Sequence, residues 1–206
     1  MPVTYPASVP TSGVTSLNWT NMTSSLVSRS PFTFQGQAQS WGGAIRMASV
    51  SVENLNREQA EDWIGFLDSL NGTIGTFLFG DPMAALPMGV GGIANNPRVA
   101  GANQTGDVLN VRGTTNSTVG WLKRGDWIQI GSGTSSRLYK VLQDVDTTST
   151  NTATVYLWPS LRTSYANDAP ITLRNPKGLF RRSEGSYSYE QVGCNYSLSF
   201  NIEEVI

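Results

Sequence analysis

The sequence predicts a mainly β protein, with α+β character only in a minor sense: a β-sandwich carrying one packed helix, plus an inserted small β-barrel or sandwich. Three observations carry this expectation. Charged residues make up only 14% of the 206 residues, against roughly 25% in an average soluble domain, and Gly, Ser, Thr and Asn are abundant. Only one stretch, residues 56–70, shows sustained helical spacing. From Asp107 onward, short apolar runs alternate with turn residues, as in small all-β units.

Along the chain, residues 1–13 are rich in Pro, Ser and Thr without any period, and the expectation is an extended arm able to grip a neighbour. Val14–Trp19 and Phe32–Phe34 read as short strands and Trp41–Val52 as a longer one. In the last of these Ile45 and Met47 share one parity while Ala48, Val50 and Val52 share the other, so a bulge or a strand buried on both faces is expected. Asn56 can cap a helix with Gln59 reaching back, and Ala60, Trp63, Ile64, Leu67 and Leu70 form one apolar stripe. Asn71-Gly72 supplies residues that tolerate the left-handed turn ending a helix. Thr73–Phe79 is β-branched and aromatic, and Gly80-Asp81-Pro82 stops it.

The Gly- and Pro-rich segment that begins at Met83 reads as a connector. After it come the strand candidates DVLNVRG, GWLKRGDWIQIG, RLYKVLQDV, ATVYLWP and PITLR. Val192, Cys194, Tyr196, Leu198, Phe200 and Ile202 alternate with polar residues and predict one long final strand, with a companion around Leu179–Tyr189. The first segment is short of strands and the last has no place in a barrel complete by Arg174. The expected division therefore joins residues 1–80 with 178–206 and inserts 83–176, punctuated by Asn175-Pro176-Lys177-Gly178.

Composition excludes several functions. There is no histidine, so Ser-His-Asp and Cys-His catalysis and imidazole zinc sites are impossible. The net charge of −1, without charge runs, favours neither nucleic acid nor an anionic membrane surface. The single cysteine, Cys194, reads as a small buried hydrophobe. Neither a secretory signal pattern nor an apolar run long enough to span a bilayer is visible, and the expectation is a protein soluble until it assembles.

The motifs that remain read as structural. Gly89, Gly91 and Gly92 lack the ending of a phosphate loop, and the pairs Gly80-Asp81, Gly106-Asp107 and Gly125-Asp126 lack calcium-loop spacing, so turn chemistry accounts for them. Asp144, Asp146, Asp168 and Glu184 could include a glycosidase-type carboxylate pair, although no spacing brings two together. Asn-x-Ser/Thr sequences begin at Asn18, Asn21, Asn71, Asn103, Asn116 and Asn195, as chance allows in such a composition. Trp63 belongs to the helix stripe, and packing inside a core is expected for Trp41, Trp121, Trp127 and Trp158 in preference to sugar stacking. No catalytic, cofactor-binding or metal-binding residue is assigned.

Taken together, SWGGAIRMASVSV, EDWIGFLDSLNGTIGTFLFGDP, GWLKRGDWIQIG, RLYKVLQDV, TVYLWPSLR and KGLFRR, over residues 40–182, resemble the distal tail or baseplate hub proteins of tailed bacteriophages. The resemblance implies a tail-tube-like β-sandwich with a β-rich insertion, in a structural virion protein of the phage tail. It further implies a homo-oligomeric ring, usually a hexamer, that joins the tail tube protein to tail-tip or baseplate proteins, without cofactor or catalysis. A sugar-binding tail-tip module and a carboxylate glycosidase are the competing expectations.

Overall fold

The computed structural model describes residues 4–11, 13–92 and 96–206. It opens with two long antiparallel strands, β1 (Ser16–Arg29) and β2 (Gly36–Leu55), paired from Ser16 with Ser51 to Arg29 with Gly36. Helix α1 (Arg57–Ser69) follows, then β3 (Thr76–Phe79). The chain next forms β4 (Arg98–Val99), β5 (Val108–Arg112), β6 (Trp127–Ile130), β7 (Arg137–Val141), β8 (Thr152–Trp158) and β9 (Ile171–Thr172). It closes with β10 (Gly178–Arg182), β11 (Ser188–Val192) and β12 (Asn195–Glu204).

The helix forms where the sequence places it. Asn56 Oδ1 accepts from Gln59 N at 2.9 Å while Gln59 Oε1 accepts from Asn56 N at 3.1 Å, a reciprocal cap that satisfies two otherwise orphaned donors. Asn71 (φ 49°) and Gly72 (φ 73°) end it in the left-handed region. Ala60, Trp63, Leu67 and Leu70 are buried as the stripe requires, Ile64 only half so, and Phe66 joins them.

Strands assemble into two sheets of six. One runs β1-β2-β12-β10-β3 with β11 added beside β12, and α1 packs on it in a sandwich-like arrangement. The other runs β4-β5-β8-β7-β6-β9, and a bridge from Arg98 to Pro170 brings its two ends together into a nearly closed barrel. β3 ends at Phe79 and pairs directly with β10, from Gly178 opposite Phe79 to Arg181 opposite Thr76, so the whole second sheet lies between two neighbouring strands of the first. Asn175 N, donating to Ala85 O at 2.7 Å, ties the exit from the barrel to its entrance.

Aromatic contacts run from the helix to the barrel. Trp63 meets Phe200 at 5.8 Å, Phe66 meets Phe77 at 5.3 Å, Phe79 meets Phe180 at 6.2 Å, and Trp19 meets both Phe180 at 5.8 Å and Trp127 at 5.6 Å. Trp127 and Leu138 come from barrel strands yet are buried in the core of the first sheet. The glycine-rich connector packs tightly: a Cβ on Gly91 would lie 2.7 Å from the Trp121 carbonyl oxygen and 2.7 Å from its indole nitrogen.

Several expectations are corrected. Phe32–Phe34 is not a strand but the turn joining β1 to β2, where Pro31 offers no backbone donor and Phe34 takes φ 56°. β1 continues to Arg29, ten residues past the expected end, because pairing with β2 holds it without a buried face. No bulge stands at the expected phase change: β2 keeps one register from Ala44 to Ser51 against β1, with Arg46, Ala48, Val50 and Val52 buried on one face and Ile45 and Met47 half-buried on the other, and the bulge of this ribbon lies earlier, at Trp41–Gly43 opposite Ser24. Val192 and Cys194 do not belong to the final strand. Gly193 (φ 63°) turns the chain there, so Val192 ends β11 and Cys194 is exposed in the turn, not buried. Trp41 is likewise exposed instead of packed, because its part of β2 leaves the body of the protein. The described part of the N-terminal arm lies along its own fold, Ala7 N donating to Thr76 O at 2.7 Å beside β3.

Candidate functional site

The four acidic candidates are each engaged separately. Asp144 accepts from Arg124 N at 2.8 Å and from Lys123 Nζ at 2.9 Å, and those bonds, the backbone one first, hold its carboxyl below the usual carboxylate range. Asp168 pairs with the Arg112 guanidinium, which lowers it as well. Asp146 accepts from Gly120 N at 2.6 Å, and Glu184 from the Asn201 amide at 3.5 Å. Asp144 and Asp146 share one loop and tie it to the stretch from Gly120 to Arg124, while Asp168 and Glu184 are engaged elsewhere. Asp126, a turn residue by its Gly-Asp pattern, is buried and collects Met88 N, Gly89 N and Lys123 N at 2.7, 3.2 and 2.7 Å, so it clamps the connector onto the barrel. Among the described residues no group of three acidic or sulfur ligands gathers as a metal site would.

Polar chemistry concentrates instead at the joint between the two sheets. Arg46, on the buried parity of β2, is fully buried with its guanidinium 4.5 Å from the Trp127 ring and 4.9 Å from the Trp158 ring. Its Nη1 donates to Leu138 O at 2.9 Å and Nη2 to Trp158 O at 3.5 Å. Burial pulls this guanidinium down to about 10, with Glu204 acting in the opposite sense. Beside it Arg162 Nη2 pairs with Glu204 Oε2 at 2.8 Å, and Arg162 Nη1 donates to Ala44 O at 2.7 Å. Arg162 N donates to the Tyr139 hydroxyl, which shares a 2.7 Å bond with Tyr165. Burial raises the Tyr139 and Tyr165 phenols. Every contact spans the two sheets or braces one that does, so the arrangement is a joint, with its charges committed to the fold. Nothing in the sequence pattern marks Arg46, whose partners are about a hundred positions away.

The remaining surface feature is the far half of the β1–β2 ribbon. Beyond Met22 both strands are exposed on both faces, with Leu26, Val27, Phe32, Phe34 and Trp41 open to solvent. From Thr23 to Arg29 it projects roughly 20 Å at about 3.3 Å per residue. β1 pairs only with β2, leaving its outer edge free along its length among the described residues. Of the tryptophans weighed for sugar stacking, Trp121 and Trp127 are core and Trp158 covers Arg46, so only Trp41 is open.

Comparison with protein-family models and with curated proteins finds no match to the chain.

Proposed function

We propose that this protein is a structural subunit of a bacteriophage tail, closing into a homo-oligomeric ring, with six copies as the resemblance implies, that joins the tail tube to the tip or baseplate. The observation that carries the reading is the projecting ribbon. A long free strand edge with apolar side chains on an exposed ribbon is an association site, which a native protein must blunt or cover. Among the described residues no element covers the outer edge of β1, and contacts between different surfaces of identical copies close into rings when the rotation permits.

The outward faces of β1, β2 and β12 fit a conduit. They carry Ser16, Asn18, Thr20, Ser49, Ser51, Ser197, Ser199 and Asn201, with Ser49 and Asn201 hydrogen-bonded to one another and no lysine or arginine among them. The same faces carry only acidic charge, at Glu53 and Glu203; each basic contact with a phosphate would add salt-dependent affinity, so a wall without basic groups lets nucleic acid pass. The role is non-catalytic in this reading, and the tail tube and tail-tip or baseplate proteins are its neighbours. Negative-stain images of the purified protein test it: closed rings of one size are expected, and open filaments or single particles of subunit size would overturn it.

A further inference from the structure

We infer that the tip of the β1–β2 ribbon of one copy seats on the methionine-rich connector of the next copy, at the start of the barrel. The inference rests on the self-association proposed above and specifies the contact that makes it.

Two separate exposed apolar surfaces exist on one chain. The ribbon offers Phe32 at 92%, Phe34 at 79% and Trp41 at 54% exposure; at about 200 Å² per aromatic side chain these alone present roughly 450 Å². Trp41 stands in the bulge opposite Ser24, a separate apolar spot lower on the ribbon, and Phe32 and Phe34 at the turn make up roughly 340 Å² of that area. Monomers seldom leave more than about 300–600 Å² of contiguous apolar surface open, and a stable interface takes about 800 Å² from each partner. The ribbon tip therefore supplies a little under half of one side of such an interface.

The second surface is the connector. Met83 is 94% exposed and Val119 82%, with Leu86, Met88 and Val90 also open. Val90 N donates to Gly120 O at 3.2 Å, and Met88 N is held on Asp126, so Met88, Val90 and Val119 lie together against one rigid stretch of the barrel. Methionine side chains adapt to the shape of what they meet, which suits a seat for two phenylalanines.

Charge selects the occupant. From Ser16 to Ile45 the only charged residue is Arg29, and Pro82–Gly92 has none. A charged partner would lose hydration on the ribbon tip and along Pro82–Gly92, while the charges beside Val119 are already engaged, Lys123 with Asp144 and Asp146 with Gly120 N. The chain itself supplies the matching neutral surface, and both patches stay open in the single copy. Because they are different, tip-on-connector contact is head-to-tail and repeats from copy to copy, whereas tip-on-tip pairing would stop at a dimer and leave the connector bare.

The test uses the full chain with Cys194→Ser. Two differently tagged copies are co-expressed, one carrying Phe32→Cys and the other Val119→Cys, and treated with a short bismaleimide. Both positions are exposed, so folding is preserved. A covalent heterodimer between the two tags is the expected product, with little from either variant alone. A second variant, Phe32→Ser with Phe34→Ser, is expected to run as a monomer with an unchanged circular dichroism spectrum. If the parent assembles but the cross-link fails, or Phe32→Cys links to itself, the seat is wrong while the ring stands. If the parent is monomeric at every concentration, both readings fall.

Discussion

The Arg46 guanidinium lies 4.5 Å from the Trp127 ring, a cation from β2 stacked on an aromatic from β6, and this contact pins the two sheets to one another. With Trp158 on another side and the Leu138 carbonyl as acceptor, the charge is held by two rings and two backbone oxygens. A desolvated cation on an aromatic face gains about 2 kcal/mol or more, which offsets part of its burial cost.

Replacing Arg46 by Ala empties that slot and strands the Leu138 carbonyl. The expected loss is roughly 2–5 kcal/mol, the usual range for truncating a large buried side chain. Arg46→Met, which keeps the volume, should lose less, because a buried charge replaced by an apolar group of similar size is often neutral. Urea unfolding followed by tryptophan fluorescence measures both, and equal losses would show that the charge, not the packing, holds the joint.

On the helix, Trp63→Ala or Leu67→Ala should each cost roughly 2–5 kcal/mol, since both are fully buried. Asn56→Ala removes only the reciprocal cap and should cost about 1 kcal/mol. Thermal unfolding of the three variants checks the order, which reverses if the helix is held by its cap instead of by its stripe.

The helix and the barrel strands β5 and β8 are the parts that the sequence makes legible, because each has one wet and one dry face and so leaves a period. Residues 57–69 and the alternation of Ala153, Val155 and Leu157 are of this kind. The far half of β1 is not, since a ribbon wet on both faces has no hydrophobic period, and the Ser and Thr residues there read as loop. Cys194 misleads for the opposite reason: the alternation of β12 happens to continue across the Gly193 turn into β11. Arg46 is hidden because a charged residue on the buried parity contradicts the pattern that identifies the strand. Its stacking partners become visible only when the barrel folds against β2.

Tyrosine titration reports the joint and the helix together. Tyr187 donates to Asp68 on the helix at 2.8 Å, and burial, with that bond next, pushes its phenol up to about 12. Tyr139 and Tyr165 are raised as well, both by burial first. A raised phenol favours the neutral form of the fold, so its contribution is complete below the unfolded value near 10 and is lost as pH rises toward the folded one. In ultraviolet titration of the seven tyrosines these three should ionise at higher pH in the native protein than in the unfolded chain, Tyr187 near 12. In guanidinium chloride all seven should ionise together near pH 10, and identical native and unfolded curves would contradict the burial assigned to them.

The connector can be probed at Gly91. A methyl group there meets the Trp121 carbonyl and indole, and Gly91→Ala should destabilise by roughly 1–3 kcal/mol, as overpacking does. Gly101→Ala is a poor comparison because its φ is 91°, whereas Gly65→Ala in the helix meets nothing and should be neutral or stabilising by up to about 1 kcal/mol. Equal melting temperatures for Gly91→Ala and the parent would mean that the connector does not bear on Trp121.

The central claim is that the ribbon drives identical copies into a closed ring, and native mass spectrometry of the purified protein across a wide concentration range tests it most directly. One dominant species of fixed stoichiometry, six copies by the resemblance, is expected; it does not grow on concentration and collapses to single copies in Phe32→Ser with Phe34→Ser. A spectrum of single copies throughout, or a series of masses climbing without limit, would contradict it.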